Sequence, residues 1–244
     1  VHSMEENNVT NTRANEVMRI KQQNSKLFNA NVLHILNGQL MYDEFHHKQI
    51  MGDADYIPFN EAMCVNKVTY PIFDQTFNEI RANGHEVSTQ AYFDKVVAPL
   101  LLLSNKSYET IVLWFGEDVF CQMNLLTLLA YLEQIHFTGN VYLHSFREDE
   151  FVVHEEKLTL GNYSSVFKQV LIDKNMPTIS LLPVIFEAIK RQLDMQKEQN
   201  EVTNYIQNHP SIPEMQLVNE LLHAFPLLGY GDTQYLQFIR KVRA

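Results

Sequence analysis

Short apolar segments that end in glycine, asparagine or proline recur through the first two-thirds of the chain and predict β-strands. The predicted strands are 31–36, 55–58, 110–115, 141–144 and 151–160. The first is closed by Asn37-Gly38 and the third, the clearest of the set, by Gly116. Pro58 is expected to stop the second. The last segment follows a predicted loop at 147–150, so we expect an antiparallel edge strand there.

Helical spacing of apolar residues fills the intervals between these strands and continues to the C-terminus. The predicted helices are 40–47, 71–82, a helix that begins at Ser88, 117–136, 180–208, 213–224 and 232–242. Ser180 is expected to cap the fifth helix, with Pro183 in its first turn. Pro99 is expected to kink or end the helix that begins at Ser88.

Strands that alternate with helices indicate parallel pairing with crossover connections. The prediction is therefore an α/β fold with a Rossmann-like, mostly parallel sheet of about five strands, an antiparallel edge strand and a helical C-terminal part. Residues 1–30 are expected to form a polar N-terminal arm, partly tag or disordered. Residues 31–175 would form the Rossmann-like domain, and residues 176–244 a helical C-terminal subdomain.

Charge and composition narrow the classes of function. A net charge of −10, a sequence pI near 5.4 and scattered Lys and Arg residues disfavour nucleic-acid binding. Cys64 and Cys121 form no C-x-x-C pair, and we expect both to be core residues. The ten histidines show no metal-binding spacing, so no metal site is predicted. Apolar runs are too short for a membrane span and the N-terminus is polar, so a cytoplasmic protein is expected.

Two predicted strand ends place a glycine directly before a helix, at Asn37-Gly38 and at Gly116-Glu117. Ligands of open α/β sheets bind beyond the carboxyl ends of the strands, and glycine there allows a tight turn and close approach of a ligand to the backbone. Neither loop carries the glycine pattern of a phosphate fingerprint. For the second loop, a plain turn in which Glu117 and Asp118 cap the helix is the alternative interpretation.

A third loop, residues 58–64, follows the second predicted strand and carries Asn60 and Glu61. Glu61 is a candidate general base, with a helix-capping acid as the alternative. We therefore predict a small nucleotide- or sugar-like ligand at the strand ends, with hydrolase or transferase activity left open and the cofactor unknown. The predicted roles are hydrogen bonding by Asn37, Asn60 and Gln122, backbone approach at Gly38 and Gly116, an apolar wall from Trp114, and acid–base chemistry by Glu61 or Glu117.

Three motifs resemble the bacterial family named domain of unknown function 1835. They are His34-Ile-Leu-Asn-Gly38, Ile57-Pro-Phe-Asn-Glu-Ala-Met-Cys64, and Leu113-Trp-Phe-Gly-Glu117 running into Cys121-Gln-Met-Asn-Leu-Leu126. The resemblance spans about residues 32–142. It implies a bacterial protein from a family that is uncharacterised, some of whose members are labelled transcription regulators. The family commonly has an acid after the Asn-Gly pair, where this chain has Gln39.

A regulatory or protein-interaction module without enzymatic activity is the alternative function. The helical C-terminal part would then be the binding surface, and it would carry a large exposed apolar patch or a homodimer interface. Residues 213–242 have the length of a helix-turn-helix. However, the second of these helices has an apolar face and few groups to contact bases, which disfavours DNA binding.

Overall fold

The computed structural model describes residues 15–147 and 152–244. These residues group into two compact units, each assembled from non-consecutive segments. The first unit contains the described residues up to Glu61, together with Glu86–Gly116 and Ile135–Gly161. The second contains Ala62–His85, Glu117–Gln134 and Asn162–Ala244. The start of the N-terminal arm and most of the loop predicted at 147–150 lie outside the described residues.

The first unit holds a five-stranded sheet in the order β2-β1-β3-β4-β5. Its strands are β1 (Val32–Asn37), β2 (Asp55–Phe59), β3 (Thr110–Gly116), β4 (Asn140–Phe146) and β5 (His154–Leu158). The first four strands pair in parallel, and β5 pairs with β4 in antiparallel orientation. The predicted α/β fold with a mostly parallel sheet and an antiparallel edge is therefore confirmed.

The order of the strands explains one departure from the predicted boundaries. Pro58 does not stop β2, which continues to Phe59 and places Pro58 opposite Leu36 of β1. Since β2 lies at the edge of the sheet, the missing N–H of proline can face away from the only strand with which β2 pairs. By contrast β1 lies between two strands, and its residues from Val32 to Leu36 are all buried.

The helices connect these strands and continue to the C-terminus. With both ends described, they are α1 (Gln39–Lys48), α2 (Gln75–Gly84), α3 (Thr89–Tyr92), α4 (Leu102–Asn105), α5 (Val119–Gln134), α6 (Tyr163–Phe167), α7 (Pro183–Met195), α8 (Glu201–Asn208), α9 (Glu214–Ala224) and α10 (Asp232–Arg243). Residues 15–23 are also helical. Within the described ranges no helix combines the length and hydropathy needed to cross a membrane.

Capping side chains set the helix boundaries that the apolar spacing misplaced. The helix predicted over 71–82 begins at Gln75, because Asp74 accepts a hydrogen bond from the Phe77 N–H. The single helix predicted over 180–208 is two helices, α7 and α8. Asn200 accepts from two backbone N–H groups of α8, and Thr203 accepts from the Asn200 N–H, so this capping box starts a new helix.

The predicted kink at Pro99 takes the form of a change in helix type. Ser88 caps α3 through a 3.1 Å bond from the Ala91 N–H to its hydroxyl, as expected. The chain then passes through a π-helical turn and a 3-10 turn, Ala98–Leu101, before α4. Pro99 lies in the 3-10 turn, because its ring cannot occupy the interior of a regular α-helix.

Candidate functional site

The order of the strands reverses beside β1, where open α/β sheets most often bind ligands. From β1 the chain moves to β2 on one side, and the next strand, β3, lies on the other side of β1. The carboxyl ends of β1 and β3 carry Asn37-Gly38 and Gly116, respectively. The structure thus brings three of the predicted site residues to the same edge of the sheet, at the reversal of strand order.

Gly38 forms the turn from β1 into α1. Its φ of 98° lies in a region that favours glycine, and its N–H donates to the Phe59 carbonyl at 3.1 Å. A Cβ atom built at this position would meet nothing within 4 Å, so the space beside the turn is open. Gly38 is also the N-cap of α1, which has neither a side-chain cap nor an acid in its first turn. The positive end of this helix dipole is therefore not neutralised by its own residues.

Asn60 lies directly beyond the end of β2. Its Nδ2 donates to the side-chain oxygen of Gln39, the first residue of α1, at 2.9 Å. Asn60 follows Pro58 by two residues, and Pro58 and Trp114 both lie opposite Leu36. Pro58 and Trp114 therefore belong to the same face of the sheet, and Asn60 lies one residue beyond the end of β2.

Trp114 lies in the core of this unit. It is 3% exposed, its ring lies 4.8 Å from that of Phe45 and 4.4 Å from that of His144, and its indole N–H donates to His34 Nδ1 at 2.9 Å. Neighbouring side chains therefore already cover its apolar surface. These contacts assign Trp114 to packing beneath the edge of the sheet, rather than to a wall that a ligand could touch.

His34 is a buried histidine that sequence reasoning treated only as part of a strand. The indole N–H can only donate, so Nδ1 of His34 is the acceptor and Nε2 carries the proton that is donated to the Leu27 carbonyl at 2.9 Å. Burial lowers the pKa of His34 from 6.5 to about 3. Its imidazole is therefore neutral at physiological pH.

Glu61, two residues after the end of β2, is a buried carboxyl group of the first unit. It is 4% exposed and accepts a hydrogen bond from the hydroxyl of Tyr92, in α3, at 2.5 Å. A phenol that donates to a carboxylate forms a charge-assisted bond. Sequence reasoning missed Tyr92, because its position on the apolar face of a predicted helix indicated only packing. The alternative interpretation of Glu61, a helix-capping acid, stays a prediction.

Glu117 and Gln122, the other two predicted site residues, belong to the second unit. Gln122 is buried in α5, and Glu117 is half-buried two residues before that helix. Asp118 accepts a hydrogen bond from the Cys121 N–H at 2.8 Å, as an N-terminal cap does. The alternative interpretation of this loop, an acid that caps its own helix, is therefore correct for Asp118.

Arg81 organises a loop of the second unit and was not recognised in the sequence. Its buried guanidinium donates to the carbonyl oxygens of Ala62 and Val65 at 2.9 and 2.7 Å and contacts His85 Nε2 at 3.1 Å. The loop N–H of Met63 donates in turn to the side chain of Asn124 at 2.9 Å. These bonds hold the segment that contains Cys64.

Cavities and clusters elsewhere do not involve the predicted residues. Three cavities of about 470, 270 and 470 Å³ are each lined by other side chains. Across residues 15–147 and 152–244, no three His, Cys, Asp or Glu side chains lie close enough together to hold a metal ion. Comparison of the chain with protein-family models, curated proteins and solved structures gives no match. The resemblance to domain of unknown function 1835 accordingly stays a prediction from the three motifs.

Proposed function

We propose that this protein binds a small nucleotide- or sugar-like ligand at the carboxyl ends of β1 and β3. The observation that carries the proposal is the reversal of strand order beside β1, with the Asn37-Gly38 turn at that point. Open α/β sheets bind ligands at this kind of position. The open space beside Gly38 supports the proposal, because a ligand could approach the backbone there.

The groups around this turn suit the oxygen atoms of such a ligand. The amides of Gln39 and Asn60 are exposed or half-buried and offer both donors and acceptors. The N-terminus of α1 adds backbone N–H groups and the positive end of the helix dipole. Sugar hydroxyls can pair with the amides, and a phosphate would be favoured at the end of the helix.

A hydrolase or transferase activity stays a prediction from the sequence. If the ligand is turned over, the Glu61 carboxyl is the acid–base candidate of the first unit, with Tyr92 as its hydrogen-bond partner. Turnover assays should therefore follow binding assays, and Tyr92→Phe would test whether the phenol tunes that carboxyl. Binding by itself requires neither group to react.

Isothermal titration calorimetry with nucleoside phosphates and sugar phosphates tests the binding proposal. We expect a ligand whose affinity falls about 2- to 10-fold in Asn60→Ala, which is the effect of losing one side-chain hydrogen bond. Gln90→Ala is a matched control, because Gln90 is an exposed amide of the same unit that bonds only to Asp94 among the described contacts. Equal affinities for wild type and Asn60→Ala, across every ligand that binds, would contradict the proposed site.

A further inference from the structure

A cavity of about 470 Å³ lies in the second unit, and none of its lining residues was predicted to form a site. Its walls come from the end of α7, the start of α8, the exposed side of α10 and the loop at Cys64. The volume is within the range of small-molecule sites. Asparagine and glutamine are the most frequent residues of its lining, so the cavity offers hydrogen-bonding groups beside its apolar surface.

Gln192 in α7 lines this cavity and has an unpaired carbonyl oxygen. The residue is 1% exposed, and its Nε2 donates to the Cys64 carbonyl at 2.8 Å. A carbonyl accepts only, so the amide must turn its N–H₂ toward Cys64 and its oxygen away. That oxygen is buried and has no hydrogen-bond partner among the described residues. A buried acceptor of this kind favours a ligand that can donate to it.

A second acceptor lies one helical turn further along. Gln196 is the C-cap of α7, lines the same cavity and has a buried side-chain oxygen that also lacks a partner in the described part of the chain. Residues four apart share one face of a helix, so the two side chains belong to the same wall of the cavity. A complementary ligand would therefore carry adjacent N–H or O–H donors.

Two aromatic rings add an apolar surface to these hydrogen-bond acceptors. Tyr230 and Phe238 line the cavity with their rings 6.0 Å apart and only 15° from parallel. Tyr230 is buried, whereas Phe238 is half-buried. Burial, and to a smaller extent the neighbouring Cys64, hold the pKa of Tyr230 well above 10, so its hydroxyl keeps its proton. A planar, uncharged group would pack well here.

The charges of the lining have the opposite sign from the charge of the chain. Three lysines and one glutamate, Glu198, line the cavity, whereas the whole chain carries −10. Lys197 is paired with Asp194 at 2.5 Å, but Lys174 and Lys241 form no ion pair with any described residue. These two exposed cations would attract an anionic group of a ligand.

We propose that this cavity binds a nucleoside monophosphate whose base carries an amino group. A rotation of the Gln192 and Gln196 amides would let their oxygens accept from the amino N–H groups, the base would pack on Phe238, and the phosphate would lie near Lys174 and Lys241. This site is independent of the one proposed at the strand ends. It would be a second site, built from the helices that follow the sheet.

Titration calorimetry with AMP, GMP, CMP and UMP tests the proposal. We expect at least one of the three amino-bearing nucleotides to bind about tenfold more tightly than UMP, and Gln196→Met to weaken that binding by about tenfold. Gln90→Met is the matched control, since it places the same substitution at an exposed glutamine outside the cavity. Lys241→Gln, at an exposed position, should weaken binding of that nucleotide but not of the corresponding nucleoside.

Three results would overturn the proposal. The first is no binding of any of the four nucleotides at millimolar concentration, and the second is binding that Gln196→Met and Lys241→Gln both leave unchanged. The third is binding that is weakened in Asn60→Ala instead, which would place the nucleotide at the strand ends and leave the function proposed there intact. Thermal melting of free Gln196→Met checks its fold, and we expect no loss of stability because no hydrogen bond of its side chain is removed.

Discussion

Replacing His34 with glutamine should reduce the sensitivity of this protein to acid. His34 is wholly buried, and its pKa in the folded protein is lowered to about 3, mainly by burial. In the unfolded chain the same imidazole has an ordinary pKa of about 6.5. Below pH 6.5 the unfolded state therefore binds a proton that the folded state does not, and acid favours unfolding. A glutamine amide can still accept from Trp114 and donate to the Leu27 carbonyl, without titrating.

The size of the effect follows from the two pKa values. Above pH 6.5 the imidazole is neutral in both states and contributes no pH dependence. Between pH 6.5 and about 3, each pH unit lowers the free energy of unfolding by about 1.4 kcal/mol. Acidification from pH 7.5 to 5.0 should therefore remove about 2 kcal/mol through His34. His34→Gln should lose about 2 kcal/mol less than wild type over that interval, whatever the substitution costs at pH 7.5.

Urea unfolding at pH 7.5 and 5.0 measures this difference. Wild type, His34→Gln and His47→Gln are compared, because His47 is exposed and its replacement controls for the loss of any histidine. The His47 variant should lose as much free energy on acidification as wild type. If His34→Gln loses as much free energy of unfolding on acidification as wild type, His34 is not buried in a neutral state. The assignment of its tautomer would then also be wrong.

Three further substitutions test the packing of the second unit by urea or thermal unfolding, with Gln90→Ala as a neutral control. Arg81→Met should cost roughly 2–4 kcal/mol, because several loop carbonyls lose their donor, and a cost below about 0.5 kcal/mol would refute that role. Gly229→Ala should cost roughly 1–3 kcal/mol, since φ is 65° and a Cβ would lie 2.0 Å from an Asp118 oxygen; an unchanged melting temperature would contradict this. Asn200→Ala should cost about 0.5–2 kcal/mol through loss of the helix cap, and no loss would mean that the capping box is dispensable.

The sheet was predictable because its strands carry short apolar runs with glycine at their ends. β1 and β3 are buried on both sides, so their sequences are mostly apolar. The break between α7 and α8 was not predictable from apolar spacing, since residues 196–199 are Gln, Lys, Glu and Gln, all good helix formers. The capping box at Asn200 starts a new helix and so separates α8 from α7. Domain boundaries after residues 30 and 175 stay a prediction.

The parts of the candidate sites that sequence reasoning missed depend on contacts between distant segments. Gln192 and Cys64 are 128 residues apart, and Tyr92 and Glu61 are 31 apart. Periodicity reports which face of an element is apolar, but not which residue another segment brings to it. By contrast Asn37-Gly38 was recognisable, because a glycine that directly follows a strand marks a local turn.

The alternative function, an interaction module with a homodimer interface, also stays a prediction, and sedimentation velocity is its test.

Trp114 lies in the core and Asn60 lies just beyond the end of β2, so substitutions of the two should have opposite effects. Trp114→Phe removes the donor to His34 and leaves a gap beside Phe45, so we expect a loss of roughly 1–3 kcal/mol in the free energy of unfolding. Ligand affinity of the folded variant should be unchanged, because Trp114 exposes almost no surface. Asn60→Ala should instead lower affinity and leave stability nearly unaltered, since its one described bond is on the surface. Calorimetric titration and urea unfolding of both variants make the comparison. If Trp114→Phe keeps its stability but loses ligand binding, Trp114 contacts the ligand, and its assignment to the core is wrong.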